Sequence, residues 1–323
     1  MLEFRIGAGE AGKKVQRYVR QLLPGVPLSG IYKMIRTGRV KRNGKRAKAD
    51  DVLVMGDVVR LYMAEDDFQV VSRAPKKFHG VSRDICVVYE DEDTLIVSKP
   101  IGVLTHGAAG EHKETLTNQV LAYLYDEGAL HSTRFTPSPV NRLDRNTSGL
   151  VVFGKTHAAT QRLAAQFRDH QIRKYYLAIV RGTVSEHGKI EAPLVRDRET
   201  NRTVVHANGK PAVTLFQRLA SNGRTSLVRI ELVTGRTHQI RAHFAHIGHP
   251  LWSDVKYGGG GAQTGAAHQW LHAGWLKFPD GTVYTAPLPA EYQTTLRRLG
   301  YAEDWSTLSA IPFRETGASL HDA

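Results

Sequence analysis

The sequence predicts an α+β fold, a large mixed and mostly antiparallel sheet with a few helices, preceded by a small N-terminal domain. Three observations predict it. Strand-like runs outnumber helix-like ones and often follow one another directly, which favours antiparallel pairing over strand–helix–strand crossovers. Residues 1–65 form a closed pattern of their own, two short helical repeats and then a hairpin signal. Residues 66–82, from Asp66-Asp67 through Pro75-Lys76-Lys77, show no periodicity and read as a linker. A chain of 323 residues has room for one large core and one small one.

In the first unit Val15, Val19, Leu22 and Leu23 recur at helical spacing. After Pro24-Gly25 a second helix carries Leu28, Ile31 and Ile35. Asn43-Gly44 is a strong signal for a two-residue hairpin turn, and Val58–Tyr62 reads as a last strand. Lys33, Arg36, Arg39, Lys41, Arg42, Lys45, Arg46 and Lys48 fall within sixteen residues that contain no acid. They lie on the second helix and its neighbouring hairpin, so they can share one face.

The second domain, 83–302, opens with a strand pair, Ile85–Tyr89 and Leu95–Ser98, ending at Lys99-Pro100. Leu116, Val120 and Leu124 mark a helix that Thr115 can cap. Leu150–Phe153 is a buried strand, and a helix through Leu163 and Phe167 follows it. Tyr175–Val180, Val213–Leu219 and Thr225–Leu232 read as strands, and a helix from Thr237 presents Ile240, Phe244 and Ile247 on one face until Gly248 and Pro250. Gly258–Gly261 reads as a flexible loop, Glu291–Leu299 as a short helix, and residues 303–323 as a tail that packs little.

Composition narrows the function classes. Charged residues make up 23% and hydrophobic residues 41%, a globular balance, with no apolar run near the ~18 residues of a membrane span. No signal-peptide pattern follows Met1. Cys86, the only cysteine, sits in an apolar run and reads as inert core; it excludes an internal disulfide and fits a reducing, cytoplasmic compartment. A net charge of +13 asks for a polyanionic partner. His238, His243, His246 and His249 match no zinc-ligand spacing, and no metal is expected.

The stretch most informative for chemistry is Asn141-Arg142-Leu143-Asp144-Arg145-Asn146-Thr147-Ser148-Gly149-Leu150. An acid between two arginines precedes a buried strand, which places it in a loop at the lip of a sheet. A carboxylate flanked by guanidinium groups stays ionised at neutral pH and can face an anion. This stretch resembles the catalytic loop of the RluA/RluC/RluD-type RNA pseudouridine synthases. Lys99-Pro100-Ile101-Gly102, Arg173-Lys174-Tyr175-Tyr176-Leu177-Ala178, Thr234-Gly235-Arg236-Thr237-His238-Gln239-Ile240-Arg241, His246-Ile247-Gly248-His249-Pro250 and Leu271-His272-Ala273 resemble further motifs of that family, in order. Residues 1–65 resemble an S4 domain, a small RNA-binding module, and details such as Gly25-Val26-Pro27 lean toward the RluC group.

The resemblance implies isomerisation of uridine to pseudouridine without a cofactor. It makes Asp144 the essential residue, pairs Arg241 with it, stacks Tyr176 on the target uracil and packs Ile240 on the other side. Arg142, Arg145, Arg236 and Asn141 become candidates for RNA contacts and Lys99 for a contact to RNA or to a loop carbonyl, with the basic residues 33–46 as a phosphate-binding anchor. One departure stands out: the family loop usually begins with His, where this chain has Asn141. The expected partner is structured RNA, most naturally large-subunit ribosomal RNA or its precursor particle, bound by a monomer with no membrane association. Transfer RNA as substrate, or a non-catalytic assembly factor on the same fold, are the alternatives.

Overall fold

The computed structural model describes residues 1–72, 80–107, 113–127, 135–197, 199–260 and 268–301. The expected tail at 303–323 and the Pro75-Lys76-Lys77 part of the linker lie outside the described residues.

In the first domain the elements are β1 (Leu2–Arg5), α1 (Val15–Leu22), α2 (Leu28–Arg36), β2 (Val40–Arg42), β3 (Lys45–Arg46) and β4 (Val58–Leu61). The strands pair in the order β1-β4-β2-β3. Val15, Val19 and Leu22 of α1 and Ile31 and Ile35 of α2 meet Val40, Val59 and Leu61 in one buried cluster, as amphipathic spacing requires. Asn43 and Gly44 both take positive φ, 49° and 80°, the pair a tight hairpin turn between twisted strands demands. The linker expectation is corrected at its start. Glu65–Ser72 is a helix, α3, whose acidic first turn Glu65-Asp66-Asp67 suits the positive end of the helix dipole. Phe68 and Val71 pack against the first-domain core, and the Gly25 amide donates to Val71 O at 2.8 Å. With only two apolar residues turned inward, the repeat was too short to show as periodicity.

The second domain comprises β5 (Cys86–Glu90), β6 (Thr94–Lys99), α4 (Leu116–Asp126), β7 (Ser138–Pro139), β8 (Ser148–Gly154), α5 (His157–Arg168), β9 (Arg173–Arg181), β10 (His187–Glu191), β11 (Leu194–Asp197), β12 (Arg202–Val205), β13 (Val213–Ser221), β14 (Thr225–Leu232), α6 (Gln239–His246), β15 (Leu271–Lys277), β16 (Val283–Thr285) and α7 (Ala290–Arg298). The sheet runs β10-β13-β14-β9-β15-β8-β6-β5, with β16 added to β15 and β7 to β8. Only β15 with β8 is parallel among these pairs; the rest are antiparallel, which makes the sheet mixed as expected. β11 and β12 form a separate hairpin.

Strand alternation divides the core. In β9, Tyr175, Leu177 and Ile179 face Trp270, Tyr292 and Leu296, so α7 covers that side. Tyr176, Ala178 and Val180 face the other way, toward Ile240 and Phe244 of α6. Ile96, Leu150 and Val152 pack with Leu163 of α5.

Two local readings are corrected. Cys86 is exposed, at the start of β5, the edge strand of the sheet. The Gly258–Gly261 reading of a loose loop fails for its described part. Gly258 takes φ 88° to end a 3₁₀ turn at Val255–Tyr257, and a Cβ on Gly259 would collide with Leu251 O. That is a packed bend which only glycine permits; Gly261 lies outside the described residues. Among the described residues no helix is long and apolar enough to cross a membrane.

Candidate active site

The loop that carries Asp144 is held from both ends. At its start the Asn141 amide spans β8: Nδ2 donates to Leu150 O at 3.1 Å and Oδ1 accepts from the Val152 amide at 2.9 Å. In the middle, Thr105 Oγ1 accepts from the Leu143 amide at 3.2 Å and donates to Leu143 O at 3.0 Å. Lys99, fully buried, donates to Arg145 O at 2.9 Å and to Pro100 O and Val103 O, both at 2.8 Å. Burial pulls the Lys99 pKa down to about 7 against the opposing pull of the Asp144 charge. At the loop's end Gly149, at φ 116°, lets β8 approach β15 so closely that a Cβ would collide with Ala273 O. Of the two expectations for Lys99 the structure shows the loop carbonyl and not RNA, and the expectation of Asn141 as an RNA contact is corrected. All three protons of the Lys99 ammonium and both ends of the Asn141 amide are spent on backbone groups, and what they do is fix the loop.

The second wall comes from the turn into α6. Gln239, buried, accepts from Thr234 Oγ1 at 2.8 Å and from the Arg236 amide at 3.0 Å, and donates to Val213 O and Thr214 Oγ1. His238, at the helix N-cap, adopts φ 54°, ψ 19°. A left-handed, β-carbon-bearing residue beside a cleft is a costly conformation, tolerated where position matters.

Arg241, one turn in, joins the walls. Its Nη1 lies 3.3 Å from Asp144 Oδ2. Its stronger partner is Asp254, gripped by Nε at 2.7 Å and Nη2 at 2.8 Å, and its Cζ stands 4.8 Å above the Tyr257 ring. Burial opposes the Arg241 charge, but the hydrogen bonds and charge of Asp254 outweigh it and the pKa is raised. The guanidinium is thus a fixed cation whose third nitrogen faces Asp144. His238 Nε2 stands 3.6 Å from the same Asp144 oxygen, while its Nδ1 is 2.8 Å from the Tyr257 hydroxyl. Burial drives the His238 pKa down to about 4, so the ring is neutral at physiological pH.

Asp144 stands between two cavities. The first, about 380 Å³, has apolar walls of Leu143, Tyr176, Leu232, Ile240 and Leu271. Burial first, and then the Asp144 charge, raise the Tyr176 pKa, so it is a neutral phenol. The second, about 540 Å³, is polar and cationic, with Arg145, Arg196, Lys256, His106 and His268 around it. Arg142 is exposed and lines both; Arg236 is exposed at the mouth of the first, its Nε donating to Pro211 O at 3.1 Å. The predicted residues Asp144, Tyr176, Ile240, Arg241, Arg142, Arg145 and Arg236 are brought together here. Lys33, Arg36, Arg39, Lys41, Arg42, Lys45 and Arg46 belong to the first domain. Among them Arg42 is committed inward, Nε to the buried Asp57 at 2.6 Å, and Lys41 lies 4.8 Å over the Tyr62 ring; Lys33, Arg36, Arg39, Lys45 and Arg46 are exposed.

Asp254 and Tyr257 were missed in the sequence. They follow the His246–Pro250 motif in a segment without periodicity, and their one signal was an acid and an aromatic three apart beside a glycine run.

The fold and site together define a pseudouridine synthase: a carboxylate on a sheet-lip loop, paired with a buried arginine beside an aromatic–aliphatic slot. The domain is similar to the human RNA pseudouridylate synthase domain containing 4, with TM-score 0.57 and 22% identity over 67% of this chain and 93% of that one. It is also similar to the human RNA pseudouridylate synthase domain containing 1, with TM-score 0.53 and 26% identity over 64% and 84%. The RNA pseudouridylate synthase family model matches residues 93–246. The ribosomal large subunit pseudouridine synthase C of Vibrio cholerae is 36% identical over 277 residues, 83% of this chain and 85% of that protein. The Escherichia coli protein of the same name is 37% identical over 289 residues, 84% and 87%. The chain belongs to the RNA pseudouridylate synthase family, isomerases that act on RNA.

Proposed function

We propose that this protein converts specific uridines of large-subunit ribosomal RNA to pseudouridine in the cytoplasm, with residues 1–65 serving as an S4-type RNA anchor. The observation that carries the reading is the Asp144 carboxylate, 3.3 Å from a guanidinium that Asp254 holds in place, on the wall of a slot sized for a flat base. Names of relatives that match over four-fifths of the chain support the ribosomal substrate.

The reaction breaks the bond from C1′ to N1 of uracil, turns the base and joins C1′ to C5, with loss of the C5 proton and gain of a proton at N1. Nothing is oxidised or reduced. The uridine must leave its stack, since a duplex hides both faces of the glycosidic bond. The extruded base enters between Tyr176 and Ile240, an aromatic and an aliphatic wall, with Asp144 at the sugar. Asp144 supplies the ionised group, Arg241 fixes its orientation, and neutral His238 excludes a second cation from the carboxylate. Asp254 is spent on Arg241, so the site works with one acid rather than an acid pair. Arg142 and Arg236 at the mouth, and the exposed Lys33, Arg36, Arg39, Lys45 and Arg46 of the first domain, meet phosphates.

The test is Asp144→Asn, which keeps shape and removes charge. Tritium release from C5-labelled large-subunit RNA should fall to below ~1% of wild type while the RNA dissociation constant holds, as loss of a nucleophilic or proton-transfer group costs ~10² or more. Mapping pseudouridines in RNA from cells lacking the protein identifies the site. Restored uridines in transfer RNA alone would overturn the ribosomal reading.

A further inference from the structure

Lys174 has no role in the chemistry described so far, yet it sits in the same slot. It precedes Tyr176 by two residues on β9, so both side chains leave the strand on the same face. It is only 9% exposed and lines the cavity with Asp144, Tyr176 and Ile240. Its Nζ lies 4.0 Å from where a Gly235 Cβ would stand, beneath the turn that leads into α6, and the missing side chain leaves that space open. Among the described residues its ammonium has no hydrogen-bond or ion-pair partner. The acid whose charge acts on it, Glu231, is gripped by the Arg173 fork at 2.9 and 2.8 Å. Burial lowers the Lys174 pKa, with Glu231 opposing the shift.

A buried cation without an acceptor is costly in the empty protein. A ligand that brings an acceptor removes that cost. The pocket's apolar walls select a flat ring, and the exposed Arg142, Arg168 and Arg236 around its mouth already suit hydrated phosphates. What is left for Lys174 is an acceptor on the ring itself. An ammonium has three donors and no acceptor. Uracil offers it carbonyl oxygens at C2 and C4, whereas cytosine presents an amino group at C4, and donor would meet donor.

We propose that Lys174 reads the base: its ammonium donates to the C4 carbonyl oxygen of the extruded uracil, and this contact selects uracil over cytosine. The inference rests on the pseudouridine synthase reading above, and deepens it by naming the group that recognises the substrate.

The experiment pairs a change in the enzyme with a change of one atom in the RNA. Lys174→Met keeps the length and apolar stem of the side chain and removes the donor. The RNA is a ribosomal fragment carrying uridine, 2-thiouridine or 4-thiouridine at the position that wild type modifies, sulfur being a poor acceptor. With wild type, the 4-thio substitution should slow single-turnover conversion about 10- to 100-fold, the range for losing one hydrogen bond to a charged group, while the 2-thio substitution, at an oxygen that cytosine shares, should cost little; the reverse order would overturn the proposal. With Lys174→Met the uridine substrate should be slowed by a similar factor, and the same thio substitution should then cost almost nothing further. The RNA dissociation constant should stay within about threefold, since phosphate contacts dominate affinity. Lys174→Gln, which keeps an N–H donor, should recover part of the rate, and it serves for the same cycle if the methionine variant does not fold. Thio effects that persist in full in the variants would overturn the proposal. So would a methionine variant with normal rates, or one that loses affinity and salt dependence while its chemical step is intact, the behaviour of a phosphate contact. A wild-type enzyme that modifies no uridine would overturn the functional reading beneath it.

Discussion

Two carboxylates hold one guanidinium, and replacing each by its amide should separate structure from chemistry. Asp254 is the structural one: its side chain is 1% exposed, it takes two hydrogen bonds from Arg241 at 2.7 and 2.8 Å, and it accepts from the Tyr257 amide at 3.3 Å. Breaking a buried ion pair by removing one partner costs ~3–5 kcal/mol. Asparagine keeps one acceptor oxygen, which brings Asp254→Asn to about 2–4 kcal/mol. For a domain of roughly 200 residues each kcal/mol moves Tm by about 2–4 °C, so a fall of about 5–15 °C is expected. Asp144 stands 3.3 Å from Arg241 and 3.6 Å from His238, and its side chain is 23% exposed. Asparagine keeps an acceptor oxygen for Arg241, whose charge Asp254 still balances, so a loss of about 1 kcal/mol or less is expected and Asp144→Asn should melt within about 3 °C of wild type while turnover disappears. Asp254→Asn should retain measurable but reduced turnover, because Arg241 loses its orientation and Asp144 keeps its charge. Thermal melts and tritium release on the same three preparations decide the matter. If Asp144→Asn melts as early as Asp254→Asn, or if Asp254→Asn melts like wild type, the division of labour is wrong.

Lys99→Met removes one buried donor from three partly buried carbonyls and should destabilise by about 2–4 kcal/mol, read as an earlier denaturant midpoint, with turnover falling as the Asp144 loop loosens. His238 and His272 are both depressed to about 4, so between there and the unfolded value near 6.5 the unfolded chain binds more protons. Their stabilisation is complete above about pH 6.5 and is lost as pH falls toward 4, at up to ~1.4 kcal/mol per pH unit for each ring; urea midpoints between pH 7 and 4.5 should fall less steeply for His272→Gln than for wild type. Tyr176→Phe keeps the ring and removes the hydroxyl, so it should lower the single-turnover rate far more than RNA affinity. A chain starting at Arg83 should fold, convert short RNA slowly, and bind long RNA with a salt slope shallower by ~0.7–0.9 for each phosphate that the first domain neutralises; an unchanged slope would make the basic run a solvated face.

Much of the architecture was legible because it rests on local patterns. Thr225–Leu232 matched its strand residue for residue, and the helix capped by Thr115 appears with its Oγ1 accepting from the Asn118 amide. β10, β11 and β12 were not, since short strands such as His187-Gly188-Lys189-Ile190-Glu191 lack apolar alternation and owe their form to the neighbours they pair with. Asp144, Tyr176 and Arg241 were legible through motif order. What motif order did not convey is orientation. For Lys99 the motif left RNA and a loop carbonyl both open, and only the three converging carbonyls decide between them. Asp254 was hidden because a single aspartate carries no signal until the arginine it serves has been folded onto it.

The position of β15 has a consequence for how the protein is made. Asp144 enters from the start of β8 and Tyr176 from within β9, and these two strands do not touch; β15, residues 271–277, lies between them. During synthesis the chain that bears both groups leaves the ribosome about a hundred residues before the strand that joins them, and at ~5–20 residues per second that is a wait of several seconds or more. Over that interval β8 and β9 each present an unpaired edge, the surface most prone to stray pairing. The pocket that joins Asp144 and Tyr176 is therefore complete only once nearly all of residues 83–302 have emerged, and the same late strand covers both open edges.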